Sequence, residues 1–379
     1  MKEKPSVVAQ LTWDQVHAFR LAGHHLATQA SREDLVKVAG DIGGAQAQVM
    51  SAAELQIAVR TACSVTDVRN ALWKKKSLVK TWLMRGTLHL VPARDLPLYT
   101  AAMRGRWMKP RPSWLRYFGL SEAELATLID TIGGIMNGEP MTREEIIAVA
   151  GQGHSERVVE WLRSGWGGFL KPVARAGLLC FGPSRGQSVT FVSPKDWLGA
   201  WRQVDPEVAL VEIARRYLRA FGPATKQDFT SWWGRWPGVG TAAWAGLEPE
   251  LVEVSVGAWR AQMLAADLRR IPPRRKASVR LLPPFDPYLM GWASRDHMFE
   301  AVHRPKVSRT AGWISAVVLV DGRVEGTWTH TVAKGVLRVH VAPFQRLARA
   351  TASEVRMRAV ELAASLGRSE AEVEVAQEA

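Results

Sequence analysis

Two glutamines stand one residue apart in the segment Gln46-Ala47-Gln48, just before a predicted helix. In an extended segment, side chains at positions i and i+2 point the same way and lie roughly 6–7 Å apart. A carboxamide is neither a base nor a nucleophile, but its carbonyl oxygen accepts a hydrogen bond and its NH2 group donates. Two such groups can hold one water between them, which suits hydrolysis of a bond whose leaving group is already activated. Without further context, the pair is more typical of ordinary polar loop residues.

The chain carries a strong positive charge, with a formal net charge of +14 over 379 residues, and arginine outnumbers lysine. Such an excess is typical of proteins that bind a polyanion, and arginine suits forked contacts with phosphates and guanine edges. On charge alone, RNA and anionic lipid are alternatives to DNA. No apolar run approaches the ~20 residues that span a bilayer, and no apolar signal-peptide core is present. We therefore expect a cytoplasmic, nucleoid-associated protein that binds nucleic acid and makes no membrane contact.

Metal and disulfide chemistry is not indicated. The two cysteines, Cys63 and Cys180, are far apart, which excludes a disulfide framework, a four-cysteine zinc site and a cysteine-ligated iron–sulfur cluster. His89, His297 and His303 do not have a metal-ligand spacing, and each is expected to be a packed or exposed histidine. The sequence therefore predicts neither a metal nor a cofactor.

The elements around the glutamine pair are predicted to be helices followed by a hairpin. A break at Gly43-Gly44 precedes the pair, and two strand-like runs at residues 78–84 and 87–92 meet at Arg85-Gly86. Helices followed by a two-stranded wing are typical of a winged helix-turn-helix. The expected helix caps here are Thr12 with Gln15, Ser51 with Glu54, and Thr66.

The middle of the chain repeats this plan. Helices capped by Ser121 and Thr142 precede strand-like runs at residues 178–181 and 188–192. A junction is predicted at Asp205-Pro206, and it is followed by a helix over residues 207–220 and another capped by Thr225.

From Leu251 onward the chain is strand-rich. The two-residue turns Asp321-Gly322 and Lys334-Gly335 predict two hairpins. A helix over residues 344–366 follows, and the acidic tail, residues 369–379, is expected to be frayed. The predicted fold is thus α+β and mainly α, with tandem winged helix-turn-helix modules at residues 1–118, 119–204 and 205–379, the last of which includes the C-terminal β-hairpins.

Several blocks occur in an order and spacing that are specific when taken together, although each is weak alone. The blocks are Leu11-Thr12-Trp13, Gly44-Ala45-Gln46-Ala47-Gln48-Val49, Trp82-Leu83-Met84-Arg85-Gly86-Thr87-Leu88-His89-Leu90-Val91, Leu281-Leu282-Pro283-Pro284-Phe285-Asp286-Pro287-Tyr288, and Val318-Leu319-Val320-Asp321-Gly322 with Gly326-Thr327-Trp328. Together they resemble the AlkZ/YcaQ family of winged-helix DNA glycosylases over nearly the whole chain. The resemblance implies three winged-helix modules in a C-shaped arrangement, without metal or cofactor.

The same resemblance implies that Gln46 and Gln48 are catalytic and that the chain belongs to the AlkZ-like branch, which has two glutamines in this motif. The implied activity is that of a monofunctional glycosylase that removes N7-alkylated purines from duplex DNA, including bulky adducts, with interstrand crosslinks as a further candidate substrate. Such an enzyme serves DNA repair or self-resistance to a genotoxin, and we expect a monomer. An N7-alkylated guanine is cationic and leaves readily, so the enzyme needs mainly to stabilise an oxocarbenium-like sugar and to place a water. Ala47 is expected to leave room for a bulky group.

Basic and polar residues in three stretches are candidate DNA contacts, although solvated surface residues are an equal alternative. A hairpin of the last module is implied to face the minor groove, where hairpins and wedges are a known device. The candidates are Lys74, Lys75, Lys76 and Lys80 near the first wing, Arg304, Lys306 and Arg309, and Thr329, His330, Thr331 and Lys334 of the hairpin.

Other functions are compatible with parts of this pattern. A non-catalytic winged-helix regulator shares the fold but has no need of both Gln46 and Gln48. A helix-hairpin-helix glycosylase is suggested by residues 236–242 with Asp267 as its catalytic acid. An RNA-binding protein is disfavoured because the aromatic strand motifs of RNA-recognition domains are missing. Asp286 is expected to cap a turn, with a direct role in the site as the alternative.

Overall fold

The computed structural model describes residues 9–105, 109–110, 112–165, 167–199, 201–272 and 278–376. Within these ranges the chain is α+β, with three three-stranded sheets and one five-stranded sheet between its helices. No helix in these ranges is both long enough and apolar enough to cross a membrane.

The N-terminal segment and the first helical unit hold the glutamine pair. The sheet of the unit is antiparallel with strand order β2-β4-β3. Its hairpin turns at Arg85-Gly86, as predicted, and both residues have positive φ. The elements are β1 (Ala9–Gln10), α1 (Trp13–Gly23), α2 (Leu35–Asp41), β2 (Ala45–Gln46), α3 (Met50–Ala58), α4 (Val65–Trp73), β3 (Leu78–Trp82), β4 (Leu88–Pro92) and α5 (Leu96–Met103).

The cap predicted at Thr12 is confirmed, because the Thr12 side chain and Gln15 bond each other's backbone N–H groups. The capping box predicted at Ser51 is wrong. Helix α3 begins at Met50 with Val49 at its N-cap, and the carboxylate of Glu54 binds the Arg69 guanidinium at 2.7 Å instead. A charge-assisted hydrogen bond of this kind is stronger than the bond to the Ser51 backbone N–H that a capping box would require.

The cap predicted at Thr66 is also wrong. Ser64 caps α4, and Asp67 three residues later completes the reciprocal pair. The cap thus lies two residues before the predicted Thr66. Asp67 takes the place of the glutamate that usually completes a capping box.

The second unit has the same order of elements as the first: helix, short strand, helices and hairpin. The caps predicted at Ser121 and Thr142 are confirmed, each with a glutamate three residues on. Its sheet has strand order β5-β7-β6. The elements are α6 (Pro112–Phe118), α7 (Glu122–Ile135), β5 (Met141–Thr142), α8 (Arg143–Ala150), α9 (Glu156–Arg163), α10 (Leu170–Arg175), β6 (Cys180–Arg185), β7 (Ser188–Val192) and α11 (Pro194–Leu198).

The third unit begins where the junction was predicted. Asp205 caps its first helix, and Thr225 with Asp228 caps the second. Strand β1 pairs in parallel with a strand of this unit, Ala9 opposite Val254, so the N-terminal segment is part of its sheet. The elements are α12 (Pro206–Phe221), α13 (Lys226–Trp233), α14 (Val239–Leu247), β8 (Leu251–Val256), β9 (Trp259–Leu264) and α15 (Ala265–Leu268).

The remainder of the chain builds a five-stranded sheet with strand order β10-β11-β12-β13-β14. Both predicted hairpin turns are confirmed, since Asp321-Gly322 and Lys334-Gly335 all have positive φ. The elements are β10 (Val279–Leu282), α16 (Pro287–Met290), α17 (Arg304–Val307), β11 (Val317–Val320), β12 (Arg323–Ala333), β13 (Val336–Pro343), α18 (Arg349–Ser365) and β14 (Glu370–Val375).

The acidic tail is not frayed over residues 370–375, which corrects the prediction. Strand β14 pairs in parallel with β13. Glu372 accepts from Arg338 and Glu374 pairs with His340, both at 2.8 Å. The alternate side chains, among them Val373, pack against the apolar core beneath the sheet. The negative charges therefore occupy one face of β14, and the other face is apolar. Residues 377–379 of the predicted frayed tail lie outside the described ranges.

Candidate active site

Gln46 and Gln48 lie where the short strand β2 meets the hairpin. Gln46 stands opposite His89 in the antiparallel ladder, and the Ala47 N–H continues the ladder by donating to the Leu88 oxygen at 2.7 Å. Gln48 lies two residues after the end of β2, in the bend before α3, and its Oε1 accepts from the Leu88 N–H at 3.3 Å. The predicted extended backbone is thus confirmed at Gln46, whereas the chain bends at Gln48. Gln46 is buried, whereas Gln48 is exposed.

The side chain of Ala47 is turned the other way. It is 1% exposed and packs in the apolar core formed by α2, α3 and α4. The expectation that this alanine leaves room for a bulky adduct is therefore wrong, since alternate residues of an extended segment face opposite sides.

A half-buried arginine holds the Gln46 side chain. Nη2 of Arg85 donates to Gln46 Oε1 at 3.2 Å, and Nη1 donates to the backbone oxygen of Trp232 in α13 at 2.6 Å. Removal of the guanidinium from water, with the charge of the nearby Arg295 as the second cause, lowers the pKa of Arg85 to about 10. Arg85 therefore remains charged at neutral pH.

His89 is neutral in this environment. Burial lowers its pKa to about 3, with the charge of Arg85 as the second cause. Its Nδ1 lies 3.0 Å from the Thr87 oxygen and its Nε2 lies 3.4 Å from Arg85 Nη2. Because a carbonyl can only accept and a guanidinium can only donate, the proton sits on Nδ1 and Nε2 is the acceptor.

The backbone of Gln46 is supported from the C-terminal part of the chain. Gln56 of α3 donates to the Gln46 oxygen at 3.2 Å and to the Pro284 oxygen at 3.0 Å. Asp286, two residues further on, forms a fully buried bidentate pair with Arg60 of the same helical segment, at 2.6 and 2.8 Å. Asp286 also caps α16. Its role is therefore to hold two segments together, as the turn-cap interpretation anticipated, and not to contact substrate.

The lysines predicted at the first wing differ in their surroundings. Lys74 and Lys75 are exposed at the end of α4. Lys76 lies over the Trp197 ring at 3.5 Å, and Lys80 lies over Phe181 at 5.0 Å with its pKa lowered by burial. Lys76 and Lys80 thus form cation–π contacts with aromatic rings of the second unit.

The residues predicted near the C-terminal hairpin are at the surface. Thr329, His330 and Thr331 lie along β12, and Lys334 is at the turn itself. In the other stretch, Arg304, Lys306 and Arg309 are exposed, and Arg304 forms an ion pair with Asp296.

The other histidines and the alternative catalytic acid are accounted for by packing. His297 stacks on Trp13 at 4.9 Å and His303 on Phe344 at 3.9 Å. Asp267 is 3% exposed and pairs with Arg270 at 3.3 Å, so its carboxylate is not presented to a substrate. Within the described ranges, no cluster of histidine, cysteine or acidic side chains is arranged to hold a metal.

Sequence reasoning singled out Gln46 and Gln48 but not Arg85. Its position at the turn of the hairpin, inside one of the resembling blocks, was the available signal. In the described part of the chain, none of the hydrogen-bond partners of the two glutamines is a carboxylate or an amine. The arrangement can therefore orient a water or a sugar through amide groups, but it offers no general acid of its own.

Known proteins are similar to this chain over most of its length. The sequence profile of the family described as DNA glycosylase AlkZ-like matches residues 39–365. The chain is 38% identical to an interstrand DNA cross-link repair glycosylase of Streptomyces sahachiroi, over 84% of this chain and 87% of that protein. The solved structure of the S. sahachiroi DNA glycosylase AlkZ superimposes with a TM-score of 0.86 at 34% identity, covering 97% of this chain and all of that one. A non-catalytic regulator is not favoured by these similarities. The chain belongs to the AlkZ-like family of DNA glycosylases.

Proposed function

We propose that this glycosylase hydrolyses the N-glycosidic bond of N7-alkylated purines in duplex DNA, with Gln46 and Gln48 as its catalytic residues. The observation that carries the proposal is that both carboxamides bond to the β3–β4 hairpin, Gln46 to Arg85 and Gln48 to the Leu88 N–H, with no carboxylate among their described partners. Neutral bases leave poorly unless a general acid protonates them. A cationic N7-alkylguanine needs no such acid, so an amide-only site suits this class of lesion.

We extend the proposal to bulky adducts and interstrand crosslinks. The similar S. sahachiroi protein is named for interstrand cross-link repair. In this chain Gln48 is exposed, at the end of the extended segment and before α3. An exposed catalytic group supports excision of a lesion too large for an enclosed base-flipping pocket. The biological role would then be DNA repair or self-resistance to an alkylating toxin.

The test is a panel of duplexes with one lesion each: N7-methylguanine, a bulky N7-guanine adduct, an N7–N7 crosslink, uracil and 8-oxoguanine. We expect abasic sites from the first two and unhooking of the third, with little release of the neutral bases. Efficient release of uracil would show that the site contains an acid or a base-specific pocket, and the mechanism would have to be abandoned.

We also propose that the reaction leaves an intact abasic site, as in a monofunctional glycosylase. A Schiff base requires an amine nucleophile, and the described partners of Gln46 and Gln48 supply none. Borohydride should therefore trap no covalent protein–DNA species during turnover. Accumulation of such a species would contradict the proposal.

The three helix–strand units are proposed to be winged-helix modules in a C-shaped arrangement, with boundaries at residues 1–118, 119–204 and 205–379. The order of helix, short strand, helices and hairpin in the first two units supports this interpretation, as do the helices and hairpin of the third, whose sheet is completed by β1. We expect the enzyme to act as a monomer, which sedimentation of the protein with and without duplex DNA tests.

The β12–β13 hairpin and the two basic stretches are proposed to contact DNA. Lys334 is exposed at the hairpin turn, and a cation there would neutralise a phosphate beside the minor groove. Lys334→Glu should weaken duplex binding by about 10-fold, the effect of losing one or two phosphate contacts. Lys195→Glu, an equal charge reversal at an exposed residue of α11, is the matched control. Equal effects of both variants would point to net charge and not to the hairpin.

A further inference from the structure

Arg85 is a half-buried cation whose described hydrogen-bond partners are all acceptors. These are the Gln46 Oε1 at 3.2 Å, the His89 Nε2 at 3.4 Å and the Trp232 backbone oxygen at 2.6 Å. A guanidinium has hydrogen-bond donors only, so these three acceptors match its two terminal nitrogens. Within the part of the chain that the structure describes, no carboxylate forms an ion pair with it.

A buried charge without a counter-ion is expensive for stability, and a well-packed neutral side chain of similar size often serves a core equally well or better. The hairpin turn also places Arg85 in the left-handed region, with φ of 57°, which is unusual for a residue other than glycine. Stability of the hairpin alone does not account for an arginine here, whereas its contact with Gln46 does.

We infer that Arg85 is a positioning residue that orients the Gln46 carboxamide for base excision, an inference that depends on the proposed catalytic role of Gln46. Because the guanidinium accepts nothing, the amide oxygen of Gln46 must face it and the NH2 group must face away. In the described ranges no residue accepts a hydrogen bond from Gln46 Nε2, so this group is available to the substrate or its water. The charge on the oxygen side also polarises the amide and strengthens its N–H groups as donors.

His89 takes part in the same arrangement. Its Nδ1–H is bound to the Thr87 oxygen, so its Nε2 can only accept from Arg85. Together with the Trp232 oxygen, it holds the guanidinium plane in place so that Nη2 reaches Gln46. Arg85 acts through Gln46 and has no contact with the reacting atoms in this assignment.

The test is a double-mutant cycle on single-turnover excision of N7-methylguanine from a duplex. Arg85→Met should lower the excision rate by about 10–100-fold, which corresponds to one hydrogen bond to a charged group. In the Gln46→Ala background, the same change should cost less than about threefold, because a residue that acts through another is non-additive with it. Arg85→Lys should restore part of the rate, since an ammonium group donates to some of the same acceptors.

Arg175→Met is the matched control. Arg175 is also a half-buried arginine beside the same turn, but it lies over the Trp236 ring at 5.6 Å and has no hydrogen bond to Gln46 among the described contacts. It should affect thermal stability without changing the excision rate of the folded enzyme. DNA affinity of all variants, measured in parallel, should stay within about threefold of the original.

Equal losses from Arg85→Met in both backgrounds would mean that the arginine supports the fold and would overturn this inference alone. A normal rate for Gln46→Ala would overturn both the inference and the proposed role of Gln46. The two failures are therefore distinguished in one set of measurements.

Discussion

Gln46 and Gln48 differ in how the protein holds them, although only Ala47 separates them in sequence. Gln46 is 4% exposed and bound by Arg85, while Gln48 is exposed and bound only through its oxygen by the Leu88 N–H. Each carbonyl oxygen retains a second lone pair for a water, and each NH2 group remains a donor. The two carboxamides can therefore form the same kinds of hydrogen bond. Their removal is expected to change the free energy of unfolding by different amounts.

This difference leads to a prediction for the alanine variants. Gln46→Ala and Gln48→Ala should each lower single-turnover excision by about 10–1000-fold, the loss of one strong transition-state hydrogen bond, while DNA affinity stays nearly unchanged. Only Gln46→Ala should reduce the free energy of unfolding, by about 1–3 kcal/mol, because it truncates a buried side chain and removes one acceptor of the Arg85 guanidinium. Gln152→Ala, at a surface glutamine of the second unit that bonds only the Ala148 oxygen, serves as control. Unchanged excision by both site variants would remove them from the active site.

Buried histidines with lowered pKa values are expected to reduce the stability of the fold at acid pH. His24 is fully buried with its ring edge-on to Phe221 and Tyr288, and burial lowers its pKa well below the ordinary 6.5. His17 and His89 are likewise lowered, to about 4 and about 3, mainly by burial. Below pH 6.5 the unfolded chain takes up protons on these rings that the folded chain excludes. Stability is therefore independent of these groups above pH 6.5 and falls as the pH drops toward their folded pKa values.

The corresponding prediction concerns His24→Leu, which removes one such ring at similar volume. The variant should flatten the fall of the unfolding free energy between pH 6.5 and 5 by about 1 kcal/mol per pH unit. Urea unfolding at pH 8, 6.5 and 5 measures this slope, and the pH 8 value separates the packing cost of the substitution from titration. An unchanged slope would mean that His24 accepts a proton in the folded state.

At the scale of elements, strand β14 shows how a charged tail becomes part of a sheet. Its glutamates alternate with Ala371, Val373 and Val375, which face the core under the five-stranded sheet. This period of two is the pattern of a half-buried strand, but acidic composition and a terminal position favoured a frayed tail. The neighbouring strand β13 supplies both the backbone partners and the basic side chains that stabilise it.

Strand β14 should therefore contribute to stability through its apolar face. Val373→Asp is expected to lower the free energy of unfolding by about 1–3 kcal/mol, because it buries an unpaired charge. Glu372→Gln on the opposite face breaks only an exposed ion pair and should cost no more than about 1 kcal/mol. Urea unfolding of both variants compares the two faces, and equal costs would indicate that the strand is held by its charges.

At the scale of the whole molecule, the N-terminal segment links distant parts of the chain. Strand β1 completes the sheet of the third unit. Arg20 of α1 is fully buried, donates to the Gly222 and Pro223 oxygens at 3.3 and 3.0 Å, and lies over the Trp292 ring at 3.9 Å. The chain therefore enters the unit that holds the glutamine pair from a segment that is anchored in another unit.

The net charge of +14 belongs to the whole chain and not to one helix. We expect duplex binding to be strongly salt-dependent and only weakly sequence-specific, with a loss of about 10³ in affinity between low and moderate salt if about six phosphates are contacted. Affinities for two unrelated duplex sequences across a salt series measure both properties. A shallow salt dependence would indicate a small DNA footprint.

The sequence by itself determined features that depend on a few neighbouring residues. The caps at Thr12 and Ser121 and the turn at Lys334-Gly335 were all predictable, because the groups that satisfy one another lie within four residues. The catalytic interpretation of the glutamines came from the family resemblance, since spacing alone is more typical of ordinary polar loop residues.

Only the tertiary structure decided which distant groups meet at the site. Arg85 is bound by the Trp232 oxygen, 147 residues away in sequence, and Gln56 joins Gln46 to Pro284, 228 residues from Gln56. No periodicity or propensity encodes these contacts, because they depend on how the first and third units and the C-terminal segment pack together. The burial of Ala47 and the pairing of β14 have the same origin: local pattern determines which side chains share a face, and packing determines what that face meets.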